Sequence, residues 1–342
     1  MTMTVLLVLL GLLLLAGIGE LAPRFLASRW ASARGVDLGT TRARRAAHRI
    51  DSVLLDAVGT VTDGELDVIG LDPVEPEHEQ NLRWFAGALA HALPDPVGRA
   101  VAQLAARGRL SNVEIRAEGI AGSVDRHPVR VGHPDWIGVE DTGGLGHRVA
   151  VEVDQRLLGR ITVAASVRDD AADAVRRLVD LGIESFLVAD EPSRDTDRLA
   201  DAAGIASRWG ATAPEKRGRL VAELQEQGRV IAMVGPSAPQ PEAHAQADLS
   251  VGDGPEADLT MRDLDVSLVA DTFTLLRSLR RVLAANRVIA LVTVLLALPL
   301  TLLATLPWSV PAGLLGGGLV MVVVATTATT PPVRRATTPD AQ

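Results

Sequence analysis

Cysteine and tyrosine are both absent from the 342 residues of this chain. Without cysteine the protein can form no disulfide, no thiolate metal site and no cysteine nucleophile. Aromatic residues make up only 3% of the sequence, which disfavours a stacking platform for bases or sugars. The net charge is −8, and no dense run of lysine and arginine occurs. We therefore expect no nucleic-acid partner.

Hydrophobic residues make up 47% of the chain and are concentrated at its two ends. An uninterrupted apolar run covers residues 5–18, and its extension past Glu20 is just long enough to cross a bilayer. We predict a transmembrane anchor at residues 1–23. A cleavable signal peptide is the alternative, but no positive charge precedes the run, whereas several arginines follow it between residues 24 and 45.

Two more apolar segments, at 288–306 and 312–325, are separated by the turn-like sequence PWSVP. They predict a transmembrane helical hairpin at residues 276–326, and arginines flank both of its outer ends. By the positive-inside rule, the N-terminus then lies outside and the main body in the cytoplasm, at the plasma membrane. The Thr/Pro-rich residues 327–342 are expected to form a disordered tail.

The body between the membrane segments alternates apolar strand patterns with helical ones. Strands are predicted at 52–56, 149–153, 159–164, 186–188 and 230–234, and helices at 170–181 and 217–227. This alternation implies an α/β fold with a doubly wound parallel sheet. We expect residues 24–67 to form a linker and the first part of this domain, 68–148 an inserted α+β lobe, and 149–275 the rest of the domain.

Chemistry in parallel sheets lies in the loops that follow the carboxyl ends of the strands. Three such loops are DAVGT at 56–60, VAD at 188–190 and GPSAPQ at 235–240; PEKR stands at 214–217, and the lobe contains AEGIAG at 117–122 and VGH at 131–133. Their order and spacing resemble the motifs of the heavy-metal-type P-type cation-transporting ATPases. The three loops correspond to DKTGT, TGD and GDGxND of that family, in that order. PEKR corresponds to PxxK, and the two segments of the lobe correspond to GxGxxG and VGN. The resemblance extends from about residue 5 to 326 and covers only the C-terminal half of that family.

The resemblance implies a haloacid-dehalogenase-like fold and ATP hydrolysis through an aspartyl-phosphate. It makes Asp56 the possible phosphate acceptor, with Thr60 in the turn after it. Asp190 and Arg217 stand at the family's TGD aspartate and phosphate-clamping lysine. In the lobe, Gly119, Gly122 and Gly132 correspond to a degenerate nucleotide loop, and their alternative role is that of simple turn glycines.

Several positions depart from the family's pattern. The lysine after the acceptor is Ala57, and the histidine on the adenine side is Asp95. The magnesium aspartate is Pro236, and Pro239 and Gln240 replace the following asparagine and aspartate. Because Mg²⁺ needs carboxylate oxygens, we expect no metal-ligating residues and at most weak binding of ATP and Mg²⁺. The family's CPC motif in the membrane falls on LLA at 14–16, which removes its soft metal ligands.

The sequence therefore predicts a membrane-bound P-type ATPase homologue that is catalytically inactive and acts by binding. Its partners would be the lipid bilayer and a full-length P-type ATPase or another membrane protein. One alternative is an enzyme that hydrolyses ATP or a phosphate ester weakly through Asp56. Another is one part of a split cation transporter, which the apolar substitutions in the membrane segments disfavour.

Overall fold

The structure is a computed structural model that describes residues 2–140, 146–190, 193–303 and 309–327. The helices are α1 (Thr2–Ser32), α2 (Thr41–Ala47), α3 (Glu79–Ala90), α4 (Pro96–Ala102), α5 (Pro134–Ile137), α6 (Ala171–Asp180), α7 (Ser193–Ala203), α8 (Pro214–Glu226), α9 (Pro241–Gln246), α10 (Val266–Leu303) and α11 (Ser309–Thr327). The strands are β1 (Val36–Asp37), β2 (Ser52–Asp56), β3 (Thr62–Pro73), β4 (Leu110–Arg116), β5 (Gly119–Val124), β6 (His127–Gly132), β7 (His147–Val153), β8 (Arg156–Val167), β9 (Glu184–Val188), β10 (Ser207–Trp209), β11 (Ile231–Val234), β12 (Leu249–Gly252) and β13 (Leu259–Met261).

The chain divides into two compact units. The first, called the membrane unit below, comprises Met1–Val53, Arg177–Glu184 and Gly218–Gln342. The second, called the lobe unit, comprises Leu54–Arg176 and Ser185–Arg217. Each unit is described by itself.

The lobe unit contains a six-stranded antiparallel sheet in the order β3-β8-β7-β6-β5-β4. Helices α3 and α4 supply its apolar cover, because Leu82, Leu89 and Val101 are buried in one cluster with the inward-facing residues of the strands. The same unit holds a parallel pair, β9 and β10, in which Val188 is opposite Trp209. The helix that follows begins at Pro214, a residue suited to a first helical position because its ring presets φ and it has no N–H to satisfy.

Two strands lie in a different sheet from the one that the sequence predicts. Residues 149–153 and 159–164 are expected in the parallel sheet, but the structure includes them in β7 and β8, which pair antiparallel with each other. Asp154 and Gln155 join these strands, with φ values of 54° and 63°. Two consecutive positive φ angles make the tight turn of a β-hairpin. Because no glycine marks this turn, the sequence gives no glycine signal for the hairpin. The sheet of the lobe therefore includes β7 and β8 and extends to Val167, whereas the sequence predicts that the lobe ends at residue 148.

The membrane unit contains the strand order β1-β13-β12-β11, in which β11, β12 and β13 are parallel and β1 is antiparallel to β13. Its described residues also include three helices that are long and apolar enough to cross a membrane, at Val8–Ser32, Val266–Thr301 and Ser309–Thr327. The predicted turn at 307–311 lies partly outside the described residues, and the predicted tail lies outside them beyond residue 327.

The first and second membrane helices are longer than their apolar runs. α1 continues to Ser32, past the boundary expected at residue 23, and α10 begins at Val266 instead of 276. The sequence next to each apolar run is rich in Ala, Leu and Arg, which have high helix propensity. Each helix therefore extends beyond its apolar run. Hydropathy therefore locates the membrane-crossing part but not the helix end. Where the two helices meet, the side-chain amide of Asn286 donates to the backbone carbonyl of Gly19 at 2.9 Å.

Candidate functional site

Asp56 ends strand β2, and the residues after it form a tight turn. The strand is buried along its whole length, so its last carboxylate emerges at the carboxyl end of a buried strand. Gly59 adopts a left-handed conformation with φ of 79°, which a residue without a side chain adopts most easily. The hydroxyl of Thr60 donates to the backbone carbonyl of Asp56, and the hydroxyl of Thr62 donates to that of Ala57 at 3.1 Å. These bonds fix the turn against the strand.

Arg217 lies in the first turn of α8 and joins two of the predicted carboxylates. Its Nη1 donates to Asp56 Oδ2 at 2.7 Å, and its Nη2 donates to Asp190 Oδ1 at 2.6 Å. The Nε donates to the backbone carbonyl of Thr212 at 3.3 Å. The structure thus brings Asp56, Thr60, Asp190 and Arg217 into one place.

The two carboxylates of this ion-pair network differ in exposure. The side chains of Arg217 and Asp56 are only 2% and 7% exposed, whereas that of Asp190 is 57% exposed. The Arg217–Asp56 pair is therefore screened little by solvent. Nucleophilic attack by a carboxylate needs an oxygen lone pair directed at the reacting atom, and here the guanidinium occupies one oxygen of Asp56.

The third predicted loop, residues 235–240, follows β11 in the membrane unit. The backbone N–H of Ser237 donates to Asp253 Oδ1 at 2.9 Å, and the side-chain amide of Gln240 donates to the carbonyl of Pro236 at 3.1 Å. The side chains of Ser237 and Gln240 are buried. Asp253 supports this loop, although none of the sequence motifs includes it. The sequence feature that could have indicated Asp253 is its position directly after a strand.

The donor set of this loop does not fit Mg²⁺. Its own residues offer backbone carbonyls, a hydroxyl and an amide but no carboxylate, and the neighbouring carboxylate of Asp253 already accepts from the backbone N–H of Ser237. Mg²⁺ is usually held by at least one carboxylate. Within the part of the chain that the structure describes, no group of three or more His, Cys, Asp and Glu side chains could hold a metal ion.

A cavity of about 610 Å³ lies in the lobe unit beside the predicted nucleotide loop. Gly119 and Gly132 line it, whereas Gly122 does not. A Cβ on Gly122 would come within 3.0 Å of Leu89 Cδ1, so this glycine packs against helix α3. The structure therefore brings only two of the three predicted glycines to the cavity.

Gly119 and Gly132 are opposite each other in the β5–β6 pair. A Cβ on Gly119 would lie 2.4 Å from the carbonyl of Val131, and one on Gly132 would lie 2.3 Å from the carbonyl of Glu118. These approaches are far closer than any real Cβ contact, so the backbone itself requires glycine at both positions. No nucleotide is needed to explain them.

The charges around this cavity do not favour a polyanion in particular. Asp95 and Glu118 line it together with Arg116 and Arg148. The carboxylate of Asp95 accepts from the backbone N–H of Gly98 at 2.9 Å and caps helix α4. A helix N-cap is a common place for aspartate, which gives the residue a structural role where the family has a histidine.

Comparison with known proteins agrees with this architecture. Residues 50–239 match the family model of the haloacid dehalogenase-like hydrolases. The copper-exporting P-type ATPase of Mycobacterium tuberculosis is 31% identical over 260 residues, which cover 70% of this chain and 34% of that protein. The copper-exporting P-type ATPase of Bacillus subtilis is 28% identical over 78% of this chain and 37% of its own length.

The crystal structure of a zinc-transporting PIB-type ATPase shares the fold, with a TM-score of 0.76 and 23% identity over 92% of this chain and 55% of that one. The chain therefore belongs to the haloacid dehalogenase-like hydrolases, and the copper-exporting P-type ATPases are its homologues, as the sequence motifs predict. It spans about a third of the length of the curated relatives it matches.

Proposed function

We propose that this chain is a membrane-bound P-type ATPase homologue that has lost phosphorylation-dependent turnover and acts by binding another membrane protein. The observation that carries the proposal is the buried ion pair between Asp56 and Arg217. It engages one oxygen of the acceptor carboxylate, Oδ2, with a cation of the protein itself. Ala57 stands where the family has a lysine, so the chain also lacks the second cation that would neutralise a transferred phosphoryl group.

The loop at 235–240 supports the same proposal. In the family's pattern this strand end supplies the aspartates that hold Mg²⁺, but here it supplies Pro236 and Gln240. A metal that bridges phosphate oxygens contributes much of the stabilisation of a phosphoryl-transfer transition state. Loss of its ligands is therefore expected to lower the rate by orders of magnitude.

The membrane helices support a binding role rather than ion transport. The hydroxyls of Thr293, Thr301 and Thr326 each donate to the carbonyl four residues earlier in their own helix. Residues 14–16, at the family's metal-binding motif, are Leu, Leu and Ala. Soft metal ions take sulfur or imidazole ligands, which these side chains do not provide.

A full-length P-type ATPase is the partner that this proposal favours, because homologous membrane helices present similar packing surfaces. Since the matched relatives include copper exporters, a copper-exporting ATPase is the first to test. We place the N-terminus outside and the body in the cytoplasm of the plasma membrane, since the arginines follow α1 and precede the apolar part of α10. Reporter fusions to the two ends would test this orientation.

The decisive experiment is phosphorylation of the purified full chain with γ-labelled ATP and Mg²⁺, followed by acid quenching, which preserves an aspartyl-phosphate. We expect no acid-stable label on the chain, and no difference between the wild type and Asp56→Asn. Label on the wild type that disappears in Asp56→Asn would overturn the proposal. A full-length copper-exporting relative, labelled in parallel, shows that the conditions support phosphorylation.

A slow hydrolase is the second candidate, and the retained site favours it. Asp56, Thr60 and Asp190 stand together, and the Gly59 turn is intact. If a phosphate ester displaced Arg217 from Asp56, the carboxylate could attack phosphorus, break the ester P–O bond and form an acyl-phosphate, while the alcohol leaves with a proton from water. Water would then hydrolyse the acyl-phosphate, release inorganic phosphate and restore the Asp56 carboxylate. Turnover of a chromogenic phosphate ester by the wild type, absent from Asp56→Asn, would support this candidate over the first.

A further inference from the structure

A second cavity of about 610 Å³ lies in the membrane unit, beside the ends of the apolar segments. Helices α1, α2 and α10 all contribute to its wall. Six of the lining residues are arginines: Arg24, Arg44, Arg45, Arg49, Arg280 and Arg287. Among the described residues that line it there is no carboxylate, so the cavity concentrates positive charge in a chain whose net charge is −8.

Only part of this positive charge is neutralised within the protein. Glu20 pairs with Arg24 at 2.6 Å and with Arg287 at 2.5 Å. Arg45, Arg49 and Arg280 have no carboxylate partner among the described residues, and all three are exposed. Like charges held together raise the energy of the folded protein, so a site of this kind is expected to take an anion.

His48 also lies in the wall of this cavity. Its Nδ1 is buried without a hydrogen-bond partner among the described residues. Burial, followed by the charges of Arg280 and Arg277, lowers the pKa of His48. The ring therefore adds no positive charge of its own to the cavity at neutral pH.

The position of the cavity points to the source of the anion. The apolar run of α1 ends at Ile18 and that of α10 begins at Val288, and the Asn286–Gly19 hydrogen bond joins the helices at this level. Arg24 lies about 9 Å further along its helix than residue 18, which is the depth of a headgroup region beside a hydrocarbon core. Leu276, Leu279 and Leu283 give the cavity an apolar wall as well.

We propose that this cavity binds the phosphate headgroup of an anionic phospholipid, such as phosphatidylglycerol, from the adjacent leaflet. Guanidinium groups match phosphate oxygens in a two-pronged geometry, and the apolar wall can accept the glycerol end of the lipid. A zwitterionic lipid would bring an ammonium group into a cluster of arginines and bind less well. The bound lipid would fix α2 and the base of α10 to the membrane surface.

The test uses the full chain in detergent, with lipid adducts counted by native mass spectrometry and thermal unfolding followed during lipid titration. Phosphatidylglycerol is expected to bind and raise the unfolding temperature, whereas phosphatidylcholine and inorganic phosphate at equal concentration are not. The triple variant Arg45→Gln/Arg49→Gln/Arg280→Gln should require at least about tenfold more phosphatidylglycerol, since each basic group near a lipid surface contributes a severalfold factor.

A matched variant controls for total charge. Arg107→Gln/Arg109→Gln/Arg156→Gln removes three exposed arginines from the lobe unit and should bind phosphatidylglycerol as the wild type does. Equal loss in both variants, equal binding of phosphatidylcholine, or equal stabilisation by inorganic phosphate would each overturn the proposal. If the cavity variant does not fold, Arg45→Gln alone should weaken lipid binding about fivefold, and an unchanged affinity would count against the cavity.

Discussion

The guanidinium of Arg217 lies 2.7 Å from the carboxylate of Asp56, and both side chains are almost fully buried. The same arginine reaches Asp190, whose side chain is largely exposed. One cation therefore serves two carboxylates in different surroundings. Loss of the buried pair with Asp56 should cost far more stability than loss of the pair with Asp190, because solvent can replace a lost partner at the surface but not in the interior.

This difference gives the first prediction. Arg217→Met should lower the free energy of unfolding by about 3–5 kcal/mol, because it removes the cation next to a buried carboxylate. Asp190→Asn should lower it by less than about 1 kcal/mol. Urea unfolding of the full chain in detergent measures both. The double variant Asp56→Asn/Arg217→Met should be more stable than Arg217→Met alone, and strict additivity of the two effects would contradict the coupling.

The second prediction concerns the glycines of the lobe unit. Gly132→Ala should destabilise the protein by about 3 kcal/mol, because the new Cβ would meet a backbone carbonyl that cannot move without distorting the β5–β6 pair. Gly122→Ala should cost less than about 1 kcal/mol, since its neighbour Leu89 Cδ1 is the end of a flexible side chain. Thermal unfolding compares the two variants. Equal effects would mean that the close strand approach does not set the requirement for glycine.

The third prediction concerns the three consecutive glycines of α11. A Cβ on Gly318 would lie 2.7 Å from Thr293 Oγ1 of α10, whereas no atom of the described residues lies within 4 Å of one on Gly316 or Gly317. Small residues allow membrane helices to approach closely. Gly318→Val should therefore lower the stability of the helix packing by about 1–3 kcal/mol, and Gly317→Val should change it little. Unfolding in mixed micelles measures both, and reversed effects would show that another face of α11 contacts α10.

The fourth prediction is a dependence of stability on pH that involves His244. Its side chain is buried, with Nδ1 at 2.7 Å from the hydroxyl of Ser250. Burial lowers the pKa of His244, and the nearby carboxylates of Asp253 and Glu256 oppose the shift only in part. The unfolded chain, with an ordinary histidine pKa of about 6.5, takes up the proton first as the pH falls. The stability that the neutral ring contributes is present above about pH 6.5 and lost between that value and the lower folded pKa.

Unfolding curves between about pH 8 and pH 5 check this sign. The slope due to His244 should not exceed about 1.4 kcal/mol per pH unit, the value for one proton. His244→Asn should flatten the curve in this range by that amount or less. An unchanged slope in the variant would show that other groups cause the dependence.

Much of the fold follows from local pattern. The strand at 52–56 and the helix at 170–181 were predicted from short apolar runs and helical spacing, and the structure has them as β2 and α6. The hairpin of β7 and β8 was missed because a strand's apolar alternation is the same whether its neighbour is parallel or antiparallel. The turn of Asp154 and Gln155 carries no glycine that would have revealed it.

The sequence by itself determined the family resemblance and the positions at which the family's motif residues are replaced, since collinear motifs and substituted side chains are properties of the residues alone. Pro236 has no side-chain oxygen with which to ligate a metal in any fold. Only the tertiary structure decided which groups meet. It pairs Arg217 with a buried Asp56 and an exposed Asp190. It also packs Gly122 on a helix while Gly119 and Gly132 face a cavity, and it brings Gly318 of α11 against α10. Contacts between residues far apart in the chain depend on the packing of the elements that hold them, and no local pattern encodes that packing.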